Sequence, residues 1–132
     1  RWAGADTAEV KKLFQNDLEG TIAKYAIIQN AKLYREKIAI AVVDHTVGRI
    51  VAAQAADELL NIIGIDTSFV LYPDGERVII SARSMGDTNV QVILEKLGGG
   101  GNAAAAGGQI SGKSLSQVAT ELTQAIDQYL EG

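Results

Sequence analysis

With 132 residues, 47% of them hydrophobic, the chain is long enough for one globular domain with its own core. A formal net charge of −4 argues against a general nucleic-acid-coating surface, which is usually basic, but allows an anionic ligand held by a few local cations. Without cysteine there can be no disulfide, thiolate metal site or thiol nucleophile, which suits a reducing compartment. The longest apolar stretches, such as Ile38–Val43, are far too short to span a bilayer, and no signal-peptide pattern is present. The sequence opens at Arg1-Trp2 and reads as a piece of something longer.

Asp6-Thr7-Ala8-Glu9 has capping-box spacing and predicts a helix carrying Val10, Leu13 and Phe14. Gly20-Thr21 is expected to interrupt it, and a second helical stretch presents Ile22, Tyr25 and Ala26. Ile38–Val43 reads as a buried strand, and Asp44–Thr46 as a polar break. Val47, Ile50, Val51, Gln54, Ala55 and Leu59 follow helical periodicity to about Asn61. Ser68–Tyr72 and Arg77–Arg83, joined by Pro73-Asp74-Gly75-Glu76, predict a β-hairpin. Asn89–Leu97 is the next predicted helix. The capping box Ser114-Leu115-Ser116-Gln117 then starts a final one, with Leu115, Val118, Leu122, Ile126 and Tyr129 on one side. This alternation implies a single α/β domain with a small mixed sheet, its hairpin flanked by helices.

Two features point to chemistry. The run Gly98-Gly99-Gly100-Gly101-Asn102 reads either as a flexible linker or as a loop whose N–H groups cradle an anion such as phosphate. Its flanks, helical periodicity before and Gln109-Ile110 after, favour the loop. On the second hairpin strand, Ile79, Ser81 and Arg83 share one face, which turns from apolar to polar as the strand ends. Arg83 reads either as a solvent-facing strand-end residue or as a bidentate phosphate partner. Together these features predict a concave pocket formed by Arg83 and Gly98–Asn102, with Ser81 lining it and Ser84 nearby.

Ser81-Ala82-Arg83-Ser84, Asn89-Val90-Gln91 and Gly98–Gly101 together resemble the DHH-associated C-terminal domain of DHH-type phosphoesterases, closest to the bacterial cyclic-di-AMP phosphodiesterases. Val51–Leu60, Gly64–Val70 and Gly4-Ala5-Asp6 extend the likeness over most of the chain. The resemblance implies residues 1–31 as a helical connector from an N-terminal catalytic lobe and residues 32–132 as a substrate-binding domain. It implies a nucleotide or short-oligonucleotide substrate held by Ser81, Arg83, Ser84, Gly98, Gly99, Gly100, Gly101 and Asn102. Two divalent metals, typically manganese, would sit in the other lobe on its Asp-His-His motif, and no catalytic residue or metal ligand is expected in this chain. That lobe is the implied intramolecular partner, and a homodimer is a further arrangement. The location implied is cytoplasmic, and the parent proteins of the closest branch are usually membrane-anchored.

Asp44-His45-Thr46 lacks the motif's second His, and His45 reads as an ordinary strand-end residue. The family's glycine run is normally followed by His. Asn102 either replaces that His in a gap-free match or corresponds to the family's downstream Asn-Ala-Ala. Asn can donate a hydrogen bond to phosphate but carries no charge. Two further readings stand beside the phosphodiesterase lobe. One is an RNA- or tRNA-binding module of the kind that ends alanyl-tRNA synthetases, whose Ala-x-Ala-Gly-Gly ending is similar to Ala103–Gly108. The other is a structural dimerisation lobe.

Overall fold

The computed structural model describes residues 7–132, so Gly4–Asp6, and with them the Asp6 end of the first capping box, lie outside the described residues. Helix α1 runs unbroken through Thr7–Gln29. Gly20 does not interrupt it: one glycine costs a helix only about 1 kcal/mol relative to alanine, and 23 residues absorb that. Its C-terminal turn tucks Ile27 into the core.

Strands β1 (Ala31–Tyr34) and β2 (Ile38–Val42) form an antiparallel hairpin. Its turn puts Arg35 and Glu36 at positive φ, 51° and 71°, where non-glycine residues are uncommon. The C-terminal helix α4 (Leu115–Glu131) holds that turn: Arg35 Nε donates to Asp127 at 2.8 Å, Arg35 Nη2 pairs with Glu131, and the Tyr34 hydroxyl donates to Asp127 at 2.6 Å. β1 is missing from the sequence reading because it is only four residues long and leaves both Lys32 and Leu33 exposed.

After β2 the chain crosses through α2 (Arg49–Leu59) and returns as β3 (Thr67–Asp74), parallel to β2. β3 turns back into β4 (Arg77–Ser84) over its full length, with Asp74 opposite Arg77. The turn is therefore Gly75-Glu76, with Gly75 at φ 64°, as a two-residue hairpin requires. Pro73 belongs to the strand and not to the turn, opposite Val78 and beyond the last β2 pair at Val42–Leu71.

Helix α3 (Val90–Glu95) begins at Asn89, whose side chain accepts from the Gln91 and Val92 N–H groups at 3.0 and 3.3 Å. The two-residue strand β5 (Gly100–Gly101) and β6 (Ala105–Ser111) complete the sheet, in the order β1-β2-β3-β4-β6-β5. The predicted neighbours β2, β3 and β4 are adjacent; β5 and β6 come from the glycine-rich stretch that offers no apolar alternation.

Alternation along the strands gives the sheet two apolar faces. Ile38, Ile40, Phe69, Leu71, Val78, Ile80 and Ile110 point to α3 and α4, meeting Val90, Ile93, Leu94, Val118, Leu122 and Ile126. Ser114 caps α4 in the predicted capping box with Gln117. Ala39, Ala41, Val43, Val70, Tyr72 and Ile79 point the other way, to Ile27 and to Ala52, Ala55, Ala56 and Leu59 of α2. Fully burying one Leu, Ile, Val or Phe side chain contributes about 1.5–3 kcal/mol, so these two layers dominate stability.

Candidate ligand groove beside helix α2

Helix α2 packs over β3 and β4, and the α2-side surface of the sheet beyond it is only partly covered. Strand pairing sets Val70, Ser81, Gly107 and Gly100 in one row across β3, β4, β6 and β5. On one side lies the row Ser68–Arg83–Ala105, and on the other Tyr72–Ile79–Gln109. Paired residues share a face, so Ser81, Arg83, Gly107 and Gly100 belong to the same surface.

Arg83 is oriented before any ligand arrives. Its Nε donates to Asp57 of α2 at 3.1 Å and its Nη1 to the Ala82 carbonyl at 2.8 Å. α2 is in turn fixed at that level by the Ser68 hydroxyl, which donates to the Ala56 carbonyl at 2.6 Å. Ser84 has the parity of Ile80 and Ala82, is buried, and therefore faces α3 and α4. It adjoins Arg83 in the chain but lies on the opposite face of the sheet from Ser81 and Arg83.

The glycine run is not an open cradle of N–H groups. Gly98 ends α3 at φ 86°, and the Gly98 and Gly99 N–H groups donate to the Glu95 and Leu94 carbonyls at 3.1 and 2.8 Å. A Cβ at Gly99 would lie 2.4 Å from the Gly107 carbonyl oxygen, and one at Gly101 2.4 Å from that of Ala105. Two of the four glycines thus serve the close approach of β5 to β6. Gly100 alone has open space where a side chain would stand and no positive φ. Asn102 closes the β5–β6 turn: its N–H donates to the Ala105 carbonyl at 2.7 Å, and its Oδ1 accepts from the Ala104 and Ala105 N–H groups.

A cavity of about 320 Å³ opens on this face, lined by Arg49, Tyr72, Ile79, Ser81, Gly107 and Gln109 with Ile80 and Gly108. Of the residues expected to share a pocket, only Ser81 lines it; Arg83 is drawn toward α2, and within Gly98–Asn102 the residues Gly100–Gly101 form the edge strand. Arg49, Tyr72 and Gln109 carried no signal in the sequence, because the helix start and the two strands meet only in the fold. Tyr72 is 1% exposed, and its hydroxyl has no hydrogen-bond partner. Such an orphan costs about 1–3 kcal/mol. Burial raises its pKa, so the phenol stays protonated near neutrality. A larger concavity of about 790 Å³ lies at the Gly75 and Gly112 turns, where Arg77 is already paired with Asp74 and Lys113 with Glu121.

Among the described residues, no group of three or more His, Asp or Glu side chains could hold a metal ion. His45 is exposed, with Asp44 beside it at 3.1 Å.

The DHHA1 domain family matches residues 35–132. The chain is 41% identical over 137 aligned residues to cyclic-di-AMP phosphodiesterase GdpP of Bacillus subtilis, covering all of this chain and 21% of that protein. It is 38% identical over 135 to cyclic-di-AMP phosphodiesterase PdeA of Listeria monocytogenes, covering all of this chain and 20% of that protein. The chain thus spans about a fifth of the length of these relatives. Its fold is similar to that of an exopolyphosphatase-related protein from Bacteroides fragilis, with a TM-score of 0.73 at 22% identity over 83% of this chain and 34% of the other. With the family match covering most of the sequence and the six-stranded sheet agreeing in fold, this chain belongs to the DHHA1 domain family.

Proposed function

We propose that this domain holds the nucleotide part of a phosphodiester substrate, cyclic-di-AMP or a short oligonucleotide, for hydrolysis by a metal-bearing DHH lobe of the same polypeptide. The observation that carries this reading is the row Ser81–Gly107–Gly100 with Arg83 next to it, on a sheet surface that α2 only partly covers. Arg83 offers a phosphate its remaining N–H donors, Ser81 a hydroxyl, and the glycines let a ligand approach the backbone. Asn102 keeps its amide Nδ2 as a neutral donor, because its Oδ1 is engaged in the turn. The identity of the relatives as cyclic-di-AMP phosphodiesterases supports the substrate class. We assign the divalent metals, manganese by analogy, to the other lobe, and we place the domain in the cytoplasm.

Titration of the 132-residue chain with cyclic-di-AMP, its linear product and a short RNA, with and without manganese, tests this. Dissociation constants are expected between about 0.1 and 1 mM, roughly 4–6 kcal/mol, because the strongest phosphate contacts belong to the metals. Arg83→Ala should abolish binding. Manganese-dependent turnover by this chain alone would refute the division of labour, and binding indifferent to Arg83→Ala would remove the site. Tight RNA binding with a steep salt dependence would instead establish an RNA-binding module.

A further inference from the structure

The Tyr72 hydroxyl is unexplained by packing. Phenylalanine would fill the same space between β3 and α2 without an orphaned polar atom, and among the described residues no other buried side-chain polar atom lacks a partner. The residue borders the 320 Å³ cavity, whose lining sets the polar side chains of Arg49, Ser81 and Gln109 beside apolar Ile79. Arg49, at the first turn of α2, makes no ion pair among the described residues. Ser81 is part-exposed, and its hydroxyl makes no hydrogen bond among the described residues. The Gln109 Oε1 accepts from Arg77 at 2.7 Å, so its amide Nε2 is the end left to meet a ligand. Guanidinium, phenol, hydroxyl and amide N–H are all donors. A set of donors with one fixed positive charge and no carboxylate among the lining residues suits an oxyanion.

We propose that Tyr72 and Arg49 form a second anion subsite, which takes the terminal phosphomonoester of the nucleotide ligand whose phosphodiester pairs with Arg83. This rests on the reading of the α2-side surface as the nucleotide site. The two subsites bracket Ser81 and Gly107: Ile79, beside Tyr72, and Arg83 are four residues apart on β4, about 13 Å. Arg49 and Asp57, which mark the two ends on α2, are eight residues apart, about 12 Å. Helix and strand therefore set Arg49 and Arg83 toward opposite ends of the α2-side surface. A dianionic terminal phosphate makes fuller use of several donors than a singly charged diester, so the subsite selects linear, 5′-phosphorylated dinucleotides over those lacking the terminal phosphate.

The test compares 5′-phosphorylated diadenylate with the same dinucleotide lacking its 5′-phosphate, by calorimetry on the 132-residue chain and three variants. The unaltered chain should prefer the phosphorylated ligand about tenfold. Arg49→Ala should erase that preference and Tyr72→Phe should reduce it to about threefold, while Arg83→Ala should abolish binding of both ligands. Tyr72→Phe removes only an unpartnered atom, so it should melt no lower than the parent in the absence of ligand; a lower Tm would mean that the hydroxyl is structural and would overturn the proposal. So would dinucleotide binding that depends on Arg83 but shows no preference sensitive to Arg49 or Tyr72. A thermal-shift titration with pyrophosphate gives an arm independent of nucleotides. Protection lost in Tyr72→Phe, with no dinucleotide bound, keeps the anion subsite and sinks the nucleotide reading. Absence of both protection and preference sinks the subsite.

Discussion

On one side of the sheet, α3 and α4 lay Val90, Ile93, Leu94, Val118, Leu122 and Ile126 over Ile, Leu, Phe and Val side chains from β2, β3, β4 and β6. On the other side, α2 meets the sheet mainly with Ala52, Ala55 and Ala56, and the row Ser81–Gly107–Gly100 beyond it stays part-exposed. The same strands supply both faces, so alternate residues of β4 belong to different jobs: Val78, Ile80 and Ala82 to the core, Ser81 and Arg83 to the groove. Packing against α3 and α4 and the surface proposed for ligand binding are separated by one residue of register.

The sharpest way to break that separation is to mutate the two faces and measure both properties. Leu122→Ala, on the fully covered face, should cost about 2–5 kcal/mol in urea unfolding while leaving the affinity of the folded protein unchanged. A similar cost from Ser81→Ala would show that the groove side is structural as well. Within the glycine run the contrast is finer. Gly101→Ala places a Cβ 2.4 Å from the Ala105 carbonyl oxygen at φ 146°, and should destabilise by about 1–3 kcal/mol. Gly100→Ala points into open space and should change stability by less than about 0.5 kcal/mol, with any loss confined to ligand binding. The smallest effect is expected on α1, where Leu13 and Phe14 are 67% and 68% exposed. Phe14→Ser should shift unfolding of this chain by less than about 0.5 kcal/mol, despite removing a large aromatic.

Much of the fold was legible in the sequence because it rests on local signals. The Ile38–Val43 run, the hairpin alternation and the Ser114 capping box each name an element without reference to the rest of the chain. β1, β5 and β6 were missed because a four-residue strand with Lys32 and Leu33 outward, and two glycine-rich strands, acquire their conformation from their partners. Both α1 and α4 carry apolar residues at helical spacing, but the apolar stripe is much more sharply segregated in α4. The fold follows that difference: Val118, Leu122 and Ile126 are covered while Leu13, Phe14 and Ile22 are exposed in this chain. The groove was legible in part. Strand parity puts Ser81 and Arg83 on one face, and the same parity puts Ser84 on the other. Arg49, Tyr72 and Asp57 enter through the placement of α2 against β3 and β4, a tertiary fact with no local signature.

The Arg83–Asp57 pair also bears on how fast a ligand arrives. A guanidinium already facing a carboxylate at 3.1 Å projects little field into solvent, and the chain as a whole carries a net charge of −4. The proposed nucleotide ligand would therefore not be drawn to Arg83 from a distance, since steered association depends on a long-range potential of opposite sign. It would meet Arg83 only on contact, in an orientation set by Asp57. Association rates should then respond weakly to ionic strength. Differences between good and poor ligands should be written in how long each stays, through the hydrogen bonds it completes once the encounter has been made.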